Sequence, residues 1–143
     1  MTYNQVVKEI QEVLTDHAMI HEVLFTSPVE WINRNHVPNF PVSCFEINQG
    51  SLNAGREQVF RVIIWFLDKS GVEAEFEPNV ISDMHGVAYD ITAKLRQQFN
   101  DYLISANIPF NVVSEKFEDY LSGVRIEFDF TIVRNYGACD VPE

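Results

Sequence analysis

The sequence is short of cysteine, of basic residues and of long apolar runs, and each shortage closes off a class of function. Only Cys44 and Cys139 occur, too few for a disulfide framework or a structural zinc site, so both read as reduced thiols. Lys plus Arg number 10 against 21 Asp plus Glu, a formal charge of −11. That sign disfavours tight binding to DNA, RNA or anionic membranes. No apolar run approaches the roughly 20 residues that cross a bilayer, and Met1-Thr2-Tyr3-Asn4 has neither the basic nor the apolar start of a secretion signal. A protein of the cytoplasm or of an intracellular particle is expected. Also missing are a glycine-rich phosphate loop, a nucleophile elbow and a paired-cysteine motif. What is present is 143 residues, 46% hydrophobic and 13% aromatic, which suffices for one core. The expected organisation is a single α+β domain over 1–134 followed by an irregular arm over 135–143.

Periodicity supplies the elements. Tyr3, Val6, Val7, Ile10, Val13, Leu14 and His17 draw one stripe of a 3.6-residue helix, with Lys8, Glu9 and Glu12 on the polar side. Ser27-Pro28-Val29-Glu30 has the pattern of an N-cap, an N1 proline and a capping box, and predicts a short helical turn through Trp31 that stops before Pro38. A strand follows over 42–47, then a polar loop over 48–55. Val59 to Leu67 is β-branched and aromatic almost throughout and predicts a central strand covered on both faces. Residues 72–77 alternate with period two, as a short edge strand or a patterned loop ended by Pro78. Met84, Val87, Ala88, Ile91, Leu95, Phe99 and Leu103 predict a second long helix over 83–104, capped at Ser82-Asp83. A strand near 112–117 and a turn at Leu121-Ser122-Gly123 lead into Val124 to Ile132, where alternation is unbroken. Val124, Ile126, Phe128, Phe130 and Ile132 face one way; Arg125, Glu127, Asp129 and Thr131 form a wet face. These elements predict an antiparallel sheet of about four strands with two amphipathic helices packed on one face.

Residues with chemical potential are few. His17 and His21 are four apart on a helical frame with Glu22 beside them, but no third ligand stands at a recognisable spacing, and His17 continues the apolar stripe. His36 and His85 read as surface histidines. Glu127 and Asp129 share a strand face without the environmental asymmetry that separates an acid from a base. Cys44 reads as a small buried hydrophobe, and Cys139 has no adjacent histidine to activate it. No catalytic residue, metal or cofactor is assigned, and the chain is not expected to be an enzyme. Two features point to interaction. Asp68, Glu73, Glu75, Glu77, Asp83 and Asp90 face a single base, Lys69, as a solvated edge or a contact with a basic neighbour. Phe25, Trp31, Phe40, Leu52 and Phe110 are more apolar residues outside the main elements than a small core holds.

Ile81-Ser82-Asp83-Met84-His85-Gly86-Val87-Ala88-Tyr89-Asp90-Ile91, then Phe117-Glu118-Asp119-Tyr120-Leu121-Ser122-Gly123-Val124, and the ending Cys139-Asp140-Val141-Pro142 carry a resemblance. Together with the order of elements, they make most of the chain from Ser43 onward similar to the tail-terminator and head–tail connector group of tailed bacteriophages. The resemblance implies a virion protein with an α+β fold that closes into a hexameric or dodecameric ring, meets neighbouring neck or tail proteins and lets DNA pass without specific binding. On that implication, Asn48, Gly50, Leu52, Asn53, Gly55, Tyr136 and Cys139 are candidates for contacts between subunits or rings. Glu73, Glu75, Glu77, Arg125, Glu127 and Asp129 are candidates to line or border the lumen. The alternative is a stand-alone small-ligand or protein-binding α+β dimer with an apolar pocket between the sheet and the second long helix.

Overall fold

The alternation in the last third of the chain organises the whole sheet. The structure, a computed structural model, describes residues 2–34, 38–53, 57–69, 77–97, 102–116 and 121–133. Strand β6 (Leu121–Val133) buries Val124, Ile126, Phe128, Phe130 and Ile132 on one face. It pairs antiparallel along its length with β3 (Glu57–Lys69), from Glu57 opposite Val133 to Lys69 opposite Leu121. On the other side of β3 lies β2 (Val42–Leu52), also antiparallel. Strand β1 (Glu22–Leu24) borders β2 at Val42 to Cys44 and runs parallel to it. The outer side of β6 is shared by β4 (Leu103–Ile104) and β5 (Phe110–Lys116), one toward each end.

The described residues thus form a mixed sheet of six strands with three helices, and the expected antiparallel sheet of about four strands with two helices is corrected to that. The α+β class itself holds. Strands of three and two residues, such as β1 and β4, are too short to show a period. The parallel pair arises because a helix, α2 (Pro28–Asn33), intervenes between β1 and β2.

Two helices cover one face. In α1 (Tyr3–Thr15) the predicted stripe buries Val6, Ile10, Val13 and Leu14, and Thr2 and Gln5 close a reciprocal capping box at its start. In α3 (Glu77–Arg96) Met84, Val87, Ala88, Ile91 and Leu95 join them over Phe45, Val62, Ile64, Phe66 and Phe128. Each of these side chains larger than alanine contributes about 1.5–3 kcal/mol through removal of apolar area from water. The long helix therefore starts six residues before the predicted Asp83 and stops eight before Ile104. Pro78, read as the end of a strand, stands in the first turn, where its missing N–H costs nothing, and Val80 and Ile81 extend the apolar face. At the far end the Arg96 guanidinium donates to the carbonyl of Ala106 at 3.0 Å. Leu103, which continued the helical spacing, belongs to β4 and is half exposed.

Among the described residues the second face is covered only in part. Helix α2 places Trp31, 2% exposed, on Val42, Leu67, Val113 and Leu121, with Phe40 and Trp65 at the margin. Pro28 holds the first helical position as predicted, while the Glu30 carboxylate accepts the hydroxyl of Thr26, one residue before the expected Ser27. The predicted full cover of β3 fails at Arg61, which stands on the uncovered half of this face.

Two glycines are strand residues and not the loop or turn residues expected. Gly50 lies within β2, where a Cβ would meet the Val59 carbonyl oxygen at 2.5 Å; Gly123 lies within β6. Gly86 is the opposite case, an exposed helical glycine with nothing within 4 Å of an added Cβ. Gly86→Ala is expected to raise stability by about 1 kcal/mol, by helix propensity and a less free unfolded chain, read as a higher urea midpoint at unchanged slope.

Candidate functional site

The uncovered half of the second face carries a ladder of charges set by register. Arg61 pairs across the strands with Asp129, and Ile63 with Glu127. The Arg61 guanidinium donates through Nε to Glu127 at 2.9 Å and through Nη1 to Asp129 at 3.0 Å, and Arg125 Nη2 reaches Glu127 at 3.3 Å. The Arg125 guanidinium also lies over the Trp65 ring, 5.7 Å from its centroid. Two cations meet two anions, so the cluster sums to zero charge. The predicted wet face is present, but its lumen candidates Arg125, Glu127 and Asp129 form a closed, balanced network. Sequence reasoning did not assign Arg61; a lone cation inside the apolar run 59–67 was the signal that a partner lay across the sheet.

Hydrogen bonding to Arg61 holds the Glu127 carboxyl below its ordinary value of 4.5. The folded state therefore favours the ionised form, and this contribution is fully present above that value and lost as pH falls through the depressed one. Arg61→Gln is expected to lower the melting temperature at pH 7. It should also flatten the fall between about pH 5 and 3 relative to the parent chain, because the Glu127 carboxyl then keeps only its smaller Arg125 interaction and titrates closer to the unfolded one.

The remaining predicted positions scatter. The strand β2 runs on to Leu52, so Asn48, Gly50 and Leu52 lie in it and not in a loop. Asn48 is the bulge between Ile47 and Gln49. Polar residues exposed on both faces hide the strand period there. Asn53 N–H donates to the Glu57 carbonyl at 2.9 Å, and the turn is far shorter than the predicted loop. Glu77 opens α3 and accepts the Ser114 hydroxyl. Gly55, Glu73, Glu75, Tyr136 and Cys139, together with most of the 72–77 segment and the 135–143 arm, lie outside the described residues, as does His36. Of the surplus apolar residues, Trp31 is core and Phe40 half-buried; Phe25, Leu52 and Phe110 are exposed at 48%, 82% and 51%.

The histidines take structural places. His17 accepts the Met19 N–H at Nδ1 and so donates from Nε2 to Asp90 at 3.0 Å, tying the end of α1 to α3 beside a Lys94–Asp16 pair at 3.5 Å. His85 stands in the interior of α3, edge-on to Phe110 at 4.9 Å. His21 faces Asp68, whose carboxyl burial pushes up. Among the described residues no three His, Cys, Asp or Glu side chains gather as a metal set, and no helix is long and apolar enough to cross a membrane.

Cys44 is fully buried, and burial pushes its thiol up to about 12. The Trp31 indole N–H offsets this in part; it lies beside the sulfur and has no stronger acceptor among the described residues. In a Cys139→Ser chain, iodoacetamide at pH 8 is expected to leave Cys44 unmodified in the native state and to label it fully in urea, checked by intact mass.

Among the described residues both borders of the sheet have open stretches. Beyond β1, residues 45–52 of β2 have no strand partner on their outer edge among the described residues, and neither does β5. Next to β5, a groove of about 150 Å³ is lined by His85, Tyr89, Arg96, Ile108 and Phe110. No family model matches the chain, and no curated protein matches it. The sheet borders and the charged face are therefore read on their own geometry.

Proposed function

We propose that this chain is a structural subunit of a tailed-bacteriophage particle. It closes into a ring at the neck or tail, as tail terminator or head–tail joining protein, and DNA passes through the ring. The observation that carries this reading is the pair of strand edges, on opposite borders of one sheet, that have no partner among the described residues. A contact between two different surfaces repeats from copy to copy, and it closes into a ring when the rotation per copy divides a full turn. Left unpaired, such edges are sites of uncontrolled pairing. The resemblance of residues 81–91 and 117–124 to the phage group supports the same reading. So does the charge of −11, which keeps phosphates from adhering to a lumen. The Arg61 ladder adds a polar, charge-balanced surface with no fixed positive strip.

The alternative, a ligand-binding dimer with its pocket between the sheet and α3, is weaker. The groove there measures about 150 Å³, room for a benzene-sized molecule and below the roughly 300 Å³ at which small-molecule sites begin. Native mass spectrometry and negative-stain imaging of the full chain test the proposal. Rings of six or twelve copies are expected. A monomer at every concentration, or a closed two-copy particle, overturns it.

A further inference from the structure

We infer that copies join by strand addition: the outer edge of β2, residues 45–52, pairs antiparallel with the outer edge of β5 in the next copy. This rests on the ring reading above and gives it an interface. Direction is the first argument. Strand β2 is antiparallel to β3, β3 to β6 and β6 to β5, so β2 and β5 run in opposite senses. A second copy in the same orientation therefore presents its β5 edge antiparallel to β2, and one sheet continues through both copies with all α1 and α3 helices on the same side. Like edges could meet if one copy were rotated end for end about the sheet normal, but that contact is isologous and joins copies in pairs rather than repeating head to tail.

Side-chain placement is the second argument. Leu52 pairs with Gln58, and through it with Ile132, so it stands on the helix-covered side at 82% exposure. Phe110 and Val112 pair with Ile126 and Val124 on that same side and are 51% and 49% exposed. Tyr89 of α3, 71% exposed, lines the same groove as Phe110. Each edge thus carries an unburied apolar group on the matching side, and joining them buries both. Placing Leu52 opposite Phe110 sets Ser51 opposite Asn111 and Gly50 opposite Val112, where the missing side chain leaves room for the valine. The bulge at Asn48 then falls opposite the irregularity between Val113 and Lys116. The edges are also alike in length, eight residues against the seven of β5.

The test is a disulfide placed across the join in the full chain carrying Cys139→Ser. Ser51→Cys and Asn111→Cys, both at exposed positions, are combined, oxidised with copper phenanthroline in air and run on a non-reducing gel. Residues directly opposite in an antiparallel pair have the Cβ separation that a disulfide needs. A ladder of dimer, trimer and higher bands up to the ring size is expected, with monomer alone from either single variant. In the parent chain, Leu52→Asp should weaken assembly at least tenfold by sedimentation while leaving the thermal melt unchanged. A dimer band from a single variant shows like edges meeting and overturns the inference. So does full assembly of the Leu52→Asp chain. Rings by native mass spectrometry without a ladder overturn this interface and leave the proposed function standing; monomer throughout overturns both.

Discussion

Gly123→Val is expected to abolish cooperative folding. Gly123 sits in β6 with Leu67 on one side and Val113 on the other. A Cβ there would stand 1.8 Å from the Phe66 carbonyl oxygen, 2.9 Å from its carbon and 3.2 Å from the Leu67 Cα. These are backbone atoms, so no rotamer change relieves the overlap. The β3 and β6 strands would have to part by more than an ångström at a point flanked by the buried Phe66, Leu67, Leu121 and Val124. Ladder hydrogen bonds on both sides of β6 and the packing beneath them would be lost together. The cost exceeds about 4 kcal/mol, a large part of a domain's net stability. Far-UV circular dichroism on heating should show no sharp transition. A melt within a few degrees of the parent would mean that the strands are less closely apposed than described. Gly123→Ala is expected to fail similarly, since the first carbon already makes the clash.

Trp31→Ala is the second large expected loss, about 3–5 kcal/mol. Trp31 is the main side chain with which α2 covers the second face, at 2% exposure and edge-on to Phe40 with centroids 6.5 Å apart. Truncation opens a cavity over Leu67 and Leu121 and frees α2, a six-residue helix too short to persist without tertiary support. Trp31→Phe separates packing from polarity. It keeps a ring in the site and removes an indole N–H that is buried beside only a weak sulfur acceptor, so its loss should stay under about 2 kcal/mol. Urea midpoints measure both, and equal losses would show that the indole N–H contributes as much as the ring. Native-state alkylation of Cys44 gives a second reading: the thiol should become reactive in Trp31→Ala and stay protected in Trp31→Phe.

The elements legible in the sequence were those whose burial is one-sided and long. The nine-residue alternation of β6 and the stripe of α1 translate directly into sheet face and helix face, because one period persists against one core. Misreadings arose where the local signal had two meanings. Pro78 stops a strand and starts a helix with equal ease, and the second use won because Val80 and Ile81 have core to cover. The end of β2 offered no hydrophobic alternation, because Asn48 to Leu52 lie beyond the covered sheet. The candidate surface was least legible. The Arg61 ladder depends on a register between strands about sixty residues apart, and the open edges are properties of topology that no window of sequence contains.

The pairing of β3 with β6 also bears on synthesis. Ribosomes release β2 and β3 together, and their hairpin assembles at once. The partner of the other β3 edge leaves the exit tunnel only after α3, β4 and β5 have followed. Until then, a strand rich in valine, isoleucine and phenylalanine waits with one flank bare, exposed to pairing with nascent neighbours. Truncation anywhere before Leu121 leaves that flank bare for good, so slowed elongation or early termination should favour inclusion bodies over soluble fragments.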